Sequence, residues 1–422
     1  MVDFTSGVPV AISTSINTAE GCASLSSSTG RLLFYTDGKA VYNSAGATMP
    51  HGASIVSFST NSAEQAALII SVIGNPNQYY IFSREAGATP GWDHMAYSIV
   101  DMTLDSGLGD IVSDSMGIPL VDTLGENMIA VTGNNNDIWL ITHKLDTSIF
   151  LAYNISSAGI GAPVLSNVKT FVGSAECYQV GMLKASPNRR KLLQAEYRSC
   201  QGYGTSLYDF DPGTGIISNG ILIDTFSTTY GAEFSPDNTK VYLSNGLSDI
   251  TQYDISSSSI SAIAASRYVV TDTIYTGDLK LGSDGKIYFS LVGNGIIMGS
   301  ISSPNLSGAL CGYSPNAVTL LSNADEGAGL PNLYVTTDTT NRVGISEIIT
   351  ISNIMIYPNP ATTTLTISAN QINQITINNL LGQTMYSHEC NSPQVQVDVA
   401  NFPPGVYFVK INSNEVRKFV KE

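Results

Sequence analysis

Ser235-Pro-Asp-Asn-Thr-Lys-Val-Tyr-Leu243 is the stretch whose reading decides the fold. Proline and two turn-forming side chains bend the chain, and the lysine then opens a short run of β-branched, aromatic and aliphatic residues. That is a turn feeding a strand. The pattern returns at Ser186-Pro-Asn-Arg-Arg-Lys-Leu-Leu193, Gly282-Ser-Asp-Gly-Lys-Ile-Tyr-Phe289 and Ser27-Ser-Thr-Gly-Arg-Leu-Leu-Phe-Tyr35. Looser copies stand at Asn75-Pro-Asn-Gln-Tyr-Tyr-Ile-Phe82 and Asn134-Asn-Asn-Asp-Ile-Trp-Leu-Ile141. Taken along the chain, the six copies start 48, 59, 52, 49 and 47 residues apart. A period near 50 with hairpin punctuation predicts β-propeller blades of four antiparallel strands. Seven blades are preferred and six are the alternative; Leu330–Thr336 joined to Val8–Ser13 would complete the seventh. A solenoid would need shorter repeats with parallel strands, against the tight Pro-Asp and Asp-Gly turns.

The composition agrees with an all-β exported chain. Of 422 residues only 13% are charged, while 38 Gly and 21 Tyr stand among abundant Ser, Thr and Asn. The net charge of -15 lies almost wholly in the first 345 residues, with 15 basic against 29 acidic side chains. Clustered Lys and Arg are lacking, so nucleic acid and anionic membrane are poor partners and no nucleic acid is expected. No apolar run reaches the ~18 to 20 residues of a membrane helix, so no membrane span is expected. Met1–Thr14 lacks the charged start and apolar stretch of a signal peptide, so such a peptide is expected in the natural precursor and absent from this sequence.

The hairpin after Ser186 also makes a statement about cysteines. If Ser186 faces Lys191, positions whose numbers total 377 face each other, and Cys177 and Cys200 satisfy this. They are expected to form a disulfide across the hairpin. Cys22 and Cys311 are a weaker pairing near the ring closure, leaving Cys390 single.

Catalytic signatures are sparse. The four histidines, His51, His94, His143 and His388, show no zinc spacing, and there is no GxSxG elbow. Asp101–Asp110 and Asp209–Gly215 place carboxylates in Gly-rich loops without the ladder of a calcium site, and read as solvated turns. No metal site and no cofactor is implied. Propeller geometry gives a better lead, because the loops entering the innermost strands converge on one mouth of the central channel. That convergence would gather Glu20, Glu64, Glu126, Glu176, Tyr178, Tyr230, Tyr275 and Glu326. Carboxylates and aromatic faces in a ring suit a cation, an amine or a sugar. The plain alternative is a wet rim that keeps the protein soluble. A lyase or glycoside hydrolase would use two mouth carboxylates roughly 5 to 9 Å apart, and a buried, close and strongly shifted pair would count against a role in binding alone.

From Val335 to Ser352 the text turns into Thr-, Asp- and Asn-rich linker, so residues 1–340 are read as propeller, 341–353 as linker and 354–422 as a second domain. Leu365-Thr-Ile-Ser368, Ile375-Thr-Ile-Asn378 and Val395-Gln-Val-Asp-Val399 alternate apolar and polar residues between Pro, Gly and Asn turns. They predict a small Ig-like β-sandwich of about seven short strands.

Within that segment Tyr357-Pro-Asn-Pro360, Asn379-Leu-Leu-Gly-Gln383, Pro404-Gly-Val-Tyr-Phe-Val409 and Arg417-Lys-Phe-Val-Lys421 fall in one order. They resemble the type A C-terminal sorting domain of type IX secretion cargo. The resemblance implies that Tyr357, Pro358, Asn359, Pro360, Gly382, Gln383, Gly405, Tyr407, Lys418 and Lys421 carry the sorting motif. It implies the type IX translocon and its shuttle proteins as partners, and a destination at the cell surface or outside the cell. Leu32–Asn43, Asp101–Asp110, Phe234-Ser-Pro-Asp237 and Gly329-Leu-Pro-Asn332 resemble the propellers at the front of many exported Bacteroidetes proteins, including some labelled gliding-motility-associated. That second resemblance supports the fold and carries no catalytic motif. The whole is read as an exported binding or adhesion module for a glycan or protein ligand. A secreted lyase or hydrolase, or a structural part of the cell surface or gliding machinery, is the alternative.

Overall fold

The computed structural model describes residues 1–335 and 355–422 except for 61, 87–93, 146, 169–180, 196–203, 225–228, 246–248, 273–274, 294–295, 322–326, 380–382 and 413–414. The chain forms two compact units, Met1–Gly344 and Ile345–Glu422.

The first unit is a β-propeller. Among the described residues it has six meander sheets, the lower of the two counts expected from sequence. The first has three strands, Ala23–Ser26, Leu32–Thr36 and Val41–Asn43. The second is built on Ala67–Ser71, Gln78–Arg84, Met95–Asp101 and Ile118–Val121, and the third on Leu124–Thr132, Ile138–Lys144, Ile149–Ser156 and Gly159–Asn167. The fourth runs through Leu183–Ala185, Lys191–Gln194, Thr205–Phe210 and Ile217–Asp224. Gly231–Phe234, Lys240–Asn245, Asp249–Asp254 and Tyr268–Thr271 make the fifth. Thr276–Leu281, Ile287–Leu291, Ile297–Ile301 and Tyr313–Thr319 make the sixth. Every repeated turn lies between the first and second strands of its sheet.

The turn chemistry sets the register as the sequence implies. Ser186 donates its N–H to Lys191 O at 2.9 Å, and Ala185 faces Leu192, Lys184 faces Leu193 and Leu183 faces Gln194. Cys177 and Cys200 lie outside the described residues. Cys22 and Cys311 do not pair: both are free thiols, as is Cys390. Cys22 sits beside Pro331, while Cys311 is buried in the core shared by the fifth and sixth sheets. The ring closure does not bring these two environments together.

Alternate residues of each strand pack onto the neighbouring sheet, so the core is a ring of clusters. Phe34, Val41, Ile69 and Ile81 join the first and second sheets; Leu68, Phe82, Leu140 and Tyr153 join the second and third. Phe150 with Tyr208, Leu193 with Phe234, and Tyr242 with Phe289 continue the ring. Between the sixth and first sheets the cluster shrinks to Tyr288, Met298 and Val318, filled out by Val2, Phe4, Leu320 and Leu330. A short ribbon pairing Val2–Asp3 with Val10–Ala11 supplies part of that filling, with the Phe4 ring edge-on to Tyr288 at 5.4 Å.

The expected seventh blade does not form among the described residues. Residues 327–335 thread the channel instead, parallel to the innermost strands. Ala328 donates to Ala19 O and its own carbonyl accepts from Asp278 N–H, both at 2.9 Å; Asn332 N–H reaches Cys22 O at 2.7 Å. Val335 bonds to both Ala130 and Thr132 at 2.8 Å. The inward edges of innermost strands leave backbone groups that need partners, and a threading segment satisfies them better than an added outer blade would. The approach is close: a Cβ at Gly277 would lie 2.2 Å from Ala328 O, and one at Gly21 2.2 Å from Ala66 N, so only glycine fits either place.

The second unit has a sandwich-like sheet of five strands in place of the expected seven: Met355–Tyr357, Thr364–Asn379, Thr384–Asp398, Gly405–Ile411 and Glu415–Lys421. Two are long and break register between Ser368 and Ile372, so their halves serve different neighbours. Leu365 faces Val397, while Ile375 and Ile377 face Ile411 and Val409. Two of the expected short strands, Leu365–Ser368 and Ile375–Asn378, thus merge into one bent strand.

Gln65 joins three sheets and the thread. Its amide donates to Leu183 O at 3.1 Å and Asn332 Oδ1 at 3.3 Å, and its oxygen accepts from Met128 and Leu183 N–H at 3.1 and 2.9 Å. Gln65→Leu strands these groups in a buried place, so the first unit is expected to lose about 3 kcal/mol or more. Both tryptophans, Trp92 and Trp139, lie in that unit, so urea unfolding followed by their fluorescence reads the loss.

Candidate functional site

Four of the expected mouth residues come together. Glu64, Glu126 and Tyr230 are buried, at 2%, 4% and 6% exposure, and Glu20 beside them is half-buried. The Glu64 carboxyl accepts Gly181 N–H at 3.2 Å and shares a hydrogen bond with the Glu126 carboxyl. Burial first, then the Glu126 charge and that hydrogen bond, then Glu20, hold the Glu64 pKa well above its ordinary 4.5. Tyr230, hydrogen-bonded to Glu20, is raised by burial and by Glu20, Glu64 and Asp278. The surroundings therefore favour the protonated form of the Glu64 carboxyl. Tyr275 is 58% exposed, and Glu176, Tyr178 and Glu326 lie outside the described residues.

Further charged side chains face the channel. Lys184 donates to both Asp278 oxygens, at 2.9 and 3.2 Å, and to Leu279 O at 3.0 Å. Glu233 accepts Phe234 N–H at 2.9 Å and Leu281 N–H at 3.1 Å. Burial, then the charge of Lys184, brings Lys280 down to about 8, and burial pushes the Cys22 thiol up to about 12. The sequence reading looked only at the loops entering the strands and missed these residues. Their signal was alternation within the innermost strands: Lys184 between Leu183 and Ala185, Glu233 between Ala232 and Phe234, and Leu279 between Asp278 and Lys280.

A cavity of about 1130 Å³ occupies the gap between the sixth and first sheets. It extends from Cys22, Lys280 and Gly329–Leu333 near the axis to the turns at Ser27–Gly30 and Gly282–Ser283. Ser24, Tyr35 and Ser290 give it polar walls, Leu291, Met298 and Leu330 apolar ones, and the N-terminal ribbon lines it as well. Elsewhere, His143 is a buried strand residue edge-on to Phe150 at 4.5 Å. Among the described residues no group of three His, Cys, Asp or Glu is arranged to hold a metal ion.

In the second unit the motif residues lock the ends of the chain segment together. Asn359 accepts Val420 N–H at 2.9 Å and donates to Lys418 O at 3.3 Å, so the Tyr-Pro-Asn-Pro turn clasps the last strand. Tyr407 stacks on Phe419 at 5.5 Å and donates to Pro403 O at 2.8 Å. Gln383 closes a turn onto Asn379 by side-chain and backbone bonds of 2.8 and 3.0 Å. Lys418 is exposed and Lys421 buried; Gly382 lies outside the described residues.

Residues 355–422 match the family model of the secretion system C-terminal sorting domain. Over 74 residues the chain is 32% identical to an endo-acting ulvan lyase from Formosa agariphila, which amounts to 17% of this chain and 14% of the lyase. Solved structures similar to the chain include a putative 6-phosphogluconolactonase from Bacteroides uniformis, 13% identical at a TM-score of 0.40 over 89% of this chain and 98% of that one. The surface component PorZ of the Porphyromonas gingivalis type IX secretion system is 12% identical at 0.40, over 98% of this chain and 57% of that one. A periplasmic gluconolactonase from Pseudomonas aeruginosa is 12% identical at 0.42, over 85% and 94%. The C-terminal match directs the chain through the type IX system to the cell surface or the extracellular space. Among the described residues no helix is long and apolar enough to cross a membrane.

A chain ending at residue 354 is expected to stay in the periplasm, as fractionation would show. The Glu64–Glu126 pair predicts a pH dependence as well. Glu64 keeps its proton when folded at pH values where the unfolded carboxyl has lost it. The stability it contributes is complete below pH 4.5 and falls as the pH rises toward the raised folded value. In Glu64→Gln, melting temperature measured from pH 4 to 8 is expected to decline less steeply than in the wild type.

Proposed function

We propose that this type IX cargo is a ligand-binding module, its propeller taking a small, partly apolar ligand in the cavity between the sixth and first sheets. The observation that carries the reading is the cavity itself, whose 1130 Å³ and mixed hydroxyl and aliphatic walls have the size and chemistry of a ligand site. Export gives such a module access to ligands at or beyond the cell surface. The channel mouth offers a second place for a ligand, with Glu20 at its entrance, but Glu64, Glu126 and Tyr230 beneath it are closed to solvent.

Acid–base catalysis is the second reading, and the raised Glu64 pKa favours it. Against it stands the direct contact of the two carboxyls. Glycosidases separate theirs by roughly 5 to 9.5 Å to admit the sugar or its water, and two carboxyls in hydrogen-bond contact leave no such gap.

A glycan array probed with the full chain, with Ser24→Trp and with Glu64→Gln separates these readings. Ser24 lines the cavity, so the tryptophan intrudes on its wall and binding is expected to fall about tenfold or more, while Glu64→Gln binds as the wild type does. Binding that survives Ser24→Trp would rule out the cavity. Glycan breakdown by the wild type that disappears in Glu64→Gln would establish the enzyme instead.

A further inference from the structure

Lys280 lines the seam cavity with its charge uncommitted. Lys184, Lys191, Lys240 and Lys286 each have a carboxylate oxygen within 3.3 Å. Among the described residues the ammonium of Lys280 has no hydrogen bond and no ion pair, although the side chain is half-buried and its burial depresses its pKa. The groups whose charges act on it are Lys184, Glu233, Asp278 and Cys22. Lys184 repels it. Asp278 is taken by Lys184 and by Leu279 N–H at 2.8 Å, and Glu233 by two backbone N–H groups. The thiol of Cys22, pushed up to about 12, is neutral at physiological pH. A cation so placed is costly unless something charged meets it.

Resting on the reading of the cavity as the ligand site, we propose that the ligand is a carboxylate-bearing saccharide of the uronate class whose carboxylate pairs with Lys280. Lys280 is the one cationic side chain among the lining residues, which hold no arginine, and the Met1 amine beside them donates to Ile12 O at 3.2 Å; one uncommitted ammonium matches one carboxylate better than a doubly charged phosphate. Asp3, the one acid among the lining residues, is on the ribbon, away from the groups that act on Lys280. The hydroxyls of Ser24, Tyr35 and Ser290 suit sugar hydroxyls, and Met298 and Leu330 suit the apolar face of a pyranose. In a chain of net charge -15, local attraction must offset the general repulsion of an anion, and this lysine supplies it.

Calorimetric titration of the full chain with methyl glucuronide, methyl glucoside and methyl glucoside 6-sulfate tests the assignment. The glucuronide is expected to bind about 10- to 100-fold more tightly than the glucoside, the range of one charge-assisted hydrogen bond. Lys280→Met should erase that preference, leave glucoside affinity unchanged and keep or raise the melting temperature, since it removes an uncompensated charge. Lys280→Gln, with a polar end, should erase it as well. Wild-type preference should weaken from pH 7 to pH 9 as Lys280 loses its proton. Equal affinity for glucuronide and glucoside, a preference that survives both variants, or a sulfate bound more tightly than the carboxylate would overturn the uronate assignment while leaving the cavity reading standing. If none of the three sugars binds, or all bind unchanged in Ser24→Trp, the cavity reading falls and the assignment with it.

Discussion

The primary amide of Gln65 is the constraint on which the centre of the propeller depends. Sheets in a ring pack well around their outer faces, where apolar side chains interlock, but at the axis backbone edges converge and water is excluded. Each edge group there must find a partner, because an unsatisfied buried amide costs more than a satisfied one returns. One side chain from the second sheet reaches Met128 of the third, Leu183 of the fourth and Asn332 of the thread. Asn332 in turn donates to Met128 O at 3.0 Å and is itself buried. Two carboxamides thus fasten half the ring to the segment that fills it, each offering the donor and the acceptor that backbone edges require.

Filling the channel changes what its charged groups can do. Glu64 and Glu126 are enclosed, and a proton held on Glu64 lets two carboxyls lie in hydrogen-bond contact there. Deeper down, Lys184 and Asp278 neutralise each other. Glu233 is held by two backbone N–H groups, and the ammonium of Lys280 is left without such a partner among the described residues on the side where the cavity opens.

Much of the fold was legible because hairpin turns carry their instructions locally. The Ser-Pro-Asn turn fixed a register that holds at three successive pairs between Leu183 and Gln194. The small domain was equally readable, since Asn359 and Tyr407 belong to motifs that act within one short segment. The path of residues 327–335 was not legible, because their partners at Ala19, Cys22 and Ala130 are hundreds of positions away and nothing in Gly329-Leu-Pro-Asn332 marks a parallel strand. The candidate site was half readable. Convergence of loops predicted the meeting of Glu20, Glu64, Glu126 and Tyr230, but whether a gathered ring lies open or closed depends on what fills the channel. Lys280 was overlooked because a lysine at a strand end reads as an ordinary solvated residue.

The position of the cavity follows from how the ring closes. Every other interface joins two sheets made from neighbouring stretches of chain, and the core there is continuous. The last interface must join the beginning of the unit to its end, and its first sheet has three strands. Three buried residues and the borrowed Val2, Phe4 and Leu330 do the work that ten or more do at the larger interfaces. A gap left there weakens packing, since voids forgo contacts that a tighter core would make. The same gap makes an interior wall, with the half-buried Lys280 in it, reachable without opening a blade. Closing it with larger side chains would strengthen the ring and remove the space for a ligand, so stability and binding compete at this seam.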